Sequence, residues 1–195
     1  MNKILTIMNK ISIAANKMLL RIELKQLSSA GKNIYIEPGW LFVNSKNISL
    51  GENFRAGKGL KLSTWPVYMG KSTGCNSKLK IGKNVSIMDY ANISCMDEIT
   101  IGDGCLFGDF VFIADNNHGD GISELDQLPI KRKLCSKGPI HIGKNVWLGR
   151  NVCVMQNVTI GDGATIGANS VVTHDIPPYT IAVGAPAKVI KSTAP

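Results

Sequence analysis

No stretch of this sequence approaches the ~20 uninterrupted apolar residues that a membrane-spanning helix needs. Aromatic residues fill only 6% of its 195 positions, so a core has to come from aliphatic and β-branched side chains. Histidine occurs three times, at His118, His141 and His174, without the His-x4-His pair that would bring two imidazoles onto one metal ion. The five cysteines, Cys75, Cys95, Cys105, Cys135 and Cys153, are odd in number and form no Cys-x-x-Cys pair. That argues against a disulfide scaffold and for a reducing, cytoplasmic compartment. Acidic residues are the minority, 14 against 22 Lys and Arg, for a net charge of +8. Such a balance suits an anionic partner. Zinc-finger spacing, RNP-like aromatic runs and a long basic helix are all missing, however, so nucleic acid is not the expected partner. Finally, 20 Gly and 8 Pro without a collagen period call for frequent tight turns and disfavour a helical bundle.

The N-terminal segment is the one clear helical pattern. Ile4, Met8, Ile11, Ala15, Met18 and Ile22 recur at alternating four- and three-residue steps, which makes one apolar stripe on a helix. Lys3, Lys10, Lys17, Arg21 and Lys25 interrupt any signal-peptide-like centre and form a basic opposite face. The pattern predicts a helix that packs on its own body or on a neighbouring subunit. Peripheral contact with an anionic membrane surface, on the inner face, is the alternative.

A period of six organises the rest. From Ile142 an aliphatic residue returns at Leu148, Val154, Ile160, Ile166 and Val172. Gly follows it at 143, 149, 161 and 167, and the fifth place of each hexad is Val146, Val152, Val158, Ala164, Ser170 and Ile176. The same pattern passes through Ile81, Ile87 and Ile93, slips by two residues, and resumes at Ile101, Phe107 and Ile113. Six fits neither an α-helix nor an alternating strand. It fits short parallel strands joined by tight turns, three hexads to a triangular coil, with coils stacked ~4.8 Å apart. Gly and Asn at the corners supply the positive-φ conformations. The expected fold is therefore an all-β parallel solenoid preceded by one helix.

The repeat breaks once. The hexad from Ile113 ends at His118, and residues 119–141 intervene before Ile142. A long insertion in a solenoid is usually functional, and an imidazole at its root can deprotonate a hydroxyl and later protonate a departing thiolate. Asp115 or a backbone carbonyl could fix its tautomer.

The stretches Gly138-Pro-Ile-His-Ile-Gly-Lys-Asn-Val-Trp-Leu-Gly149, Val158–Thr173 and Asp175–Ile190 resemble the hexapeptide-repeat acyltransferases, and the likeness extends over roughly residues 33–191. It is strongest toward the sugar O-acetyltransferase branch. The resemblance implies a left-handed parallel β-helix with a protruding loop, divided as an N-terminal amphipathic helix (1–30) and an acetyltransferase domain (31–191) carrying the loop insertion 119–141. It implies a homotrimer with active sites at subunit interfaces, acetyl-CoA as acyl donor, no required metal, and a sugar or glycan acceptor, as in surface polysaccharide biosynthesis. It places the catalytic histidine at His118. It lines the cofactor groove with Trp147, Gly149, Arg150, Ala168, Thr173 and Lys188, and puts Asn92 near the acceptor. Asn116 stands where relatives often carry another His, and His174 where they commonly carry Lys. Trp40, Trp65 and Tyr68 are either acceptor-stacking or core residues. Three alternatives stay open: N-acetylation of a nucleotide-linked amino sugar, a metal-dependent β-helical enzyme of the carbonic anhydrase kind, and a non-catalytic scaffold.

Overall fold

The computed structural model describes residues 2–192; the side chains of residues 2–7 and 9, including Lys3 and Ile4 of the predicted helix faces, lie outside the described ones. One helix, Asn2–Leu24, precedes the strands. The chain then visits three sheets in rotation. The first holds Ser29–Ala30, Ile48–Leu50, Lys78–Ile81, Glu98–Ile101, Ile140–Ile142 and Val158–Ile160. The second begins with Tyr35–Ile36 and Arg55–Ala56 and runs through Ser86–Ile87, Leu106–Phe107, Trp147–Leu148 and Thr165–Ile166. The third contains Leu41–Val43, Lys61–Thr64, Asn92–Cys95, Phe112–Ala114, Cys153–Val154 and Val171–Val172. Within each sheet successive turns pair in parallel, for example Ile142↔Ile160 in the first and Leu148↔Ile166 in the second. Among the described residues, only the closing strand, Lys188–Ser192, joins the second sheet antiparallel.

The hexad arithmetic explains this geometry. Ile142, Leu148, Val154, Ile160, Ile166 and Val172 are all buried, as are Val146, Val152, Val158, Ala164, Ser170 and Ile176 between them. Each turn thus buries two residues per side, and stacked turns share one continuous aliphatic core. Asn33, Asn53, Asn84, Asn151 and Asn169 take positive φ at the corners. Their amides also bond from turn to turn, Asn33 Nδ2 to Asn53 Oδ1 at 3.0 Å and Asn151 Nδ2 to Asn169 Oδ1 at 3.0 Å, so the residue that relieves the turn also ties it to its neighbour. Residues 33–80, less regular in sequence, enter the same three sheets.

Two excursions leave the stack, both from the third sheet. The first is the antiparallel hairpin Val67–Tyr68 with Lys71–Ser72. The second starts at Asn117–His118, which pairs antiparallel with Leu134–Cys135 before the chain re-enters the first sheet at Ile140. The N-terminal helix differs from expectation. Met8, Ile11, Met18 and Ile22 of its apolar stripe are 60, 63, 65 and 47% exposed, while Leu20 and Leu24 meet the core instead. Within one chain the stripe therefore does not pack on its own body. Among the described residues, no helix is long and apolar enough to cross a membrane.

Candidate active site

His118 sits where the third-sheet strand Phe112–Ala114 gives way to the second excursion, and its side chain is exposed. Its ring meets the edge of Tyr68, with centroids 5.5 Å apart, and its Nδ1 lies 3.4 Å from the Tyr68 hydroxyl. That hydroxyl donates to the Ile130 carbonyl at 2.8 Å. Tyr68 thus links the hairpin, the imidazole and the far arm of the loop.

Asp115 does not take the place that the sequence suggested for it. Its carboxylate is fully buried, and it accepts from Met96 N at 2.6 Å, Asp97 N at 2.8 Å and Asn116 Nδ2 at 3.1 Å. Both oxygens are committed to the corner of the preceding turn, where the two-residue slip occurs. Burial pushes its pKa up, while these hydrogen bonds oppose the shift. The group that reaches the imidazole is Tyr68, which the sequence offered as either an acceptor-stacking or a core residue. Trp40 is half-buried against the core, 5.4 Å from Phe42 between ring centres.

A cavity of about 260 Å³ opens beside His118 on the outer face of the third sheet. Asn92 lines it together with Ser63, Trp65 and Asn116. In-register pairing explains the grouping: Asn92 is opposite Lys61, and Ser94 opposite Ser63. The Trp65 indole donates to Ser94 Oγ at 2.9 Å and closes one wall. Among the described residues, two buried polar atoms here have no hydrogen-bond partner, Asn92 Oδ1 and Ser63 Oγ. Such atoms are uncommon, because an unmet buried acceptor costs about 1–3 kcal/mol, and they suit a polar ligand that completes them. Asn92 is in a strand, and among the described residues it is not one of the positive-φ asparagines. A second cavity, of about 500 Å³, lies on the loop side of His118, against Cys135, Lys137 and Gln156.

The residues assigned to the cofactor groove lie on the later turns. Gly149 is packed so closely on the next turn that a Cβ there would come 2.7 Å from Ala168 N. The Arg150 guanidinium lies 5.2 Å from the centre of the Phe110 ring, which stacks on Tyr90. Trp147 is exposed on the second sheet, between Leu106 and Thr165. Thr173 Oγ1 is 2.9 Å from His174 Nδ1, and Lys188 opens the antiparallel closing strand. Within one chain these residues are not all gathered at His118. The Gly149–Arg150 corner backs onto Gly108, before the strand Phe112–Ala114, whereas His118 follows that strand. The third sheet separates the two.

His141, Cys95 and Cys105 are tied into the stack rather than into this site. His141 pairs with Thr100 Oγ1 at 2.8 Å on the first sheet. Burial raises the thiol pKa of Cys95, and that of Cys105 to about 11, so both are protonated near neutrality. Among the described residues, no group of three His, Cys, Asp or Glu is placed to hold a metal ion.

Residues 139–174 match the bacterial transferase hexapeptide family (six repeats). A protein of Escherichia coli (strain K12) named as a lipopolysaccharide biosynthesis O-acetyl transferase, WbbJ, is 39% identical over 153 residues, 76% of this chain and 73% of that one. The structure of a maltose O-acetyltransferase from Clostridium difficile 630 superposes with a TM-score of 0.54 at 31% identity, covering 90% of this chain and 74% of the other. AntD, an N-acyltransferase from Bacillus cereus, shares the fold at a TM-score of 0.75 and 23% identity, over 90% of this chain and 88% of its own. The stacked hexads and these relatives together define a hexapeptide transferase, and the chain belongs to that family. Its place within the family is that of an acetyltransferase.

Proposed function

We propose that this protein transfers the acetyl group of acetyl-CoA to a sugar hydroxyl, in the building of a surface polysaccharide, with His118 as general base. The observation that carries the reading is the setting of His118: an exposed imidazole at the root of the one long loop, beside a cavity with two unpartnered buried oxygens.

The mechanism follows from the donor inventory. Tyr68 has one hydroxyl hydrogen, and it goes to the Ile130 carbonyl. At His118 Nδ1 the same oxygen can only accept, which favours the proton on Nδ1 and leaves the Nε2 lone pair free. Nε2 removes the acceptor's hydroxyl proton as the oxygen attacks the thioester carbonyl. The tetrahedral adduct collapses, the C–S bond breaks, and the imidazolium returns the proton to the CoA sulfur. Asn92 Oδ1 accepts from the acceptor and orients it. Transfer is direct, without an acyl-cysteine. Gly149, Ala168 and the neighbouring Arg150 fit an extended donor arm because the turns approach too closely there for larger side chains to block the backbone. Trp147 walls the groove, Thr173 borders it, and Lys188 meets phosphate as a point charge.

The same reading includes the left-handed coil sense and a homotrimer. A trimer resolves the separation of His118 from the Gly149 corner, since a neighbouring subunit can present the second to the first. The division into an N-terminal helix (1–30) and a transferase domain (31–191) belongs to this proposal as well. Incubation with acetyl-CoA and a panel of sugars, amino sugars and their activated forms tests it. CoA thiol release accompanied by an alkali-labile acetyl ester is the expected result. An alkali-stable amide would replace it with N-acetylation of an amino sugar, and no acceptor-dependent thiol release across the panel would overturn acetyl transfer to sugars.

A further inference from the structure

The hairpin 67–72 and the loop 119–141 border a cavity of about 470 Å³ that Tyr68 lines and His118 does not. Four cationic residues line it, Lys71, Lys131, Arg132 and Lys133, against one carboxylate, Glu124. The protein already uses two of these charges on itself. Glu124 accepts from the Lys133 backbone N–H at 3.0 Å, and Arg132 reaches the carbonyls of Gln127 at 3.2 Å and Leu125 at 3.3 Å. Those bonds, with Tyr68 on Ile130 and Asp120 capping Ile122 and Ser123 at 2.8 and 2.7 Å, hold the loop in one shape. Glu124 is kept at a positive φ of 57 within it. The ammonium groups of Lys71, Lys131 and Lys133 are left over: among the described residues none has a hydrogen-bond or ion-pair partner in the chain. Three unpaired cations in a concave site with a fixed wall have a net positive potential and a strong preference for a multiply charged anion.

We propose that this cavity binds the phosphate or diphosphate of the acceptor, so that the sugar to be acetylated arrives already attached to phosphate at its anomeric carbon. Tyr68 is the shared wall: its ring borders the cavity and its hydroxyl touches His118. A glycosyl diphosphate seated on the lysines directs its sugar ring past Tyr68 toward the base and Asn92. The ligand chemistry is the glycosyl phosphate; a nucleotide and a polyprenyl lipid are the two sources it could come from. The inference rests on the reading of His118 as the base of an acetyl transfer.

The test uses the full-length protein and the double variants Lys131→Gln/Lys133→Gln and Lys71→Gln/Lys131→Gln, with their thermal melting confirming that they fold. Calorimetric titration with inorganic pyrophosphate needs no turnover and so stands apart from the functional reading. The expected result is a pyrophosphate site that both variants weaken by about tenfold or more, the usual worth of a charged hydrogen bond. In turnover, the KM for a uridine diphosphate hexose or for a polyprenyl diphosphate hexose should rise by a similar factor. The KM for acetyl-CoA should stay within about twofold, since a smaller change than that corresponds to less than one hydrogen bond. Use of either phosphorylated hexose supports the proposal and names the source. Pyrophosphate that displaces acetyl-CoA instead of the acceptor, variants that raise the acetyl-CoA KM, or equal use of the free hexose would overturn it. Pyrophosphate binding lost in the variants, together with no acetyl transfer to any acceptor, would leave the anion site standing and remove the functional reading.

Discussion

Asp115 and Tyr68 both depart from the roles that their positions in the sequence suggest. Asp115 is three residues from His118, but its carboxylate turns inward to satisfy Met96 N and Asp97 N at the corner of the preceding turn. Tyr68 is 50 residues away and supplies the contact with Nδ1. Nothing local in the sequence signals that pairing, because it depends on two excursions meeting outside the repeat. Two predictions belong here. Tyr68→Phe keeps the ring contact and removes the acceptor of the Nδ1 proton. It should lower kcat by about tenfold, a fraction of the 10²–10⁴ worth of the base itself, with the KM for acetyl-CoA unchanged. An unaltered kcat would remove Tyr68 from the mechanism. Asp115 is expected to act on stability. Burial raises its native pKa above the ordinary 3.8, so the folded state holds the proton more tightly than the unfolded chain. Its contribution is therefore greatest below pH 3.8 and declines as pH rises through the native pKa. Denaturation at a series of pH values should show this decline in the natural protein and its loss in Asp115→Asn.

At the level of the turn, the sequence was most legible where each hexad buries its two marker residues. From Ile142 to Ile176 every such residue is buried, because the period itself requires it. The hairpin 67–72 and the closing strand Lys188–Ser192 carry no hexad signal; the hairpin strands pair with each other and the closing strand folds back on Thr180–Val183. The N-terminal stripe was legible as a helix but not as an exposed surface, since periodicity records a face without naming what covers it. The spacing between turns is the tightest constraint in the stack. A Cβ at residue 149 would stand 2.7 Å from Ala168 N, a backbone atom that cannot move alone. Gly149→Val should cost about 1–3 kcal/mol, the usual penalty of overpacking, read as a lower denaturant midpoint. An unchanged midpoint would mean that the turns have room to separate.

In the whole molecule, two features of the single chain are unfinished. The Met8, Ile11, Met18 and Ile22 face of the helix is exposed, and His118 is parted from the Gly149 corner by the third sheet. The proposed trimer would account for both. Light scattering is expected to give three times the 21.0 kDa chain mass. Removing residues 1–27 should reduce solubility or trimer content more than turnover per intact site. A stable and fully active monomer would contradict this arrangement.

The central claim is that His118 is the base in a direct acetyl transfer, and replacing it is the most direct measurement. His118→Ala should lower kcat by about 10²–10⁴, the usual worth of a positioned general base, and leave acetyl-CoA affinity nearly intact. Cys135→Ser, measured in parallel, should keep its activity. Near-natural turnover in the His118 variant, or lost activity in the Cys135 variant with an acetyl adduct trapped on the natural protein, would contradict the account.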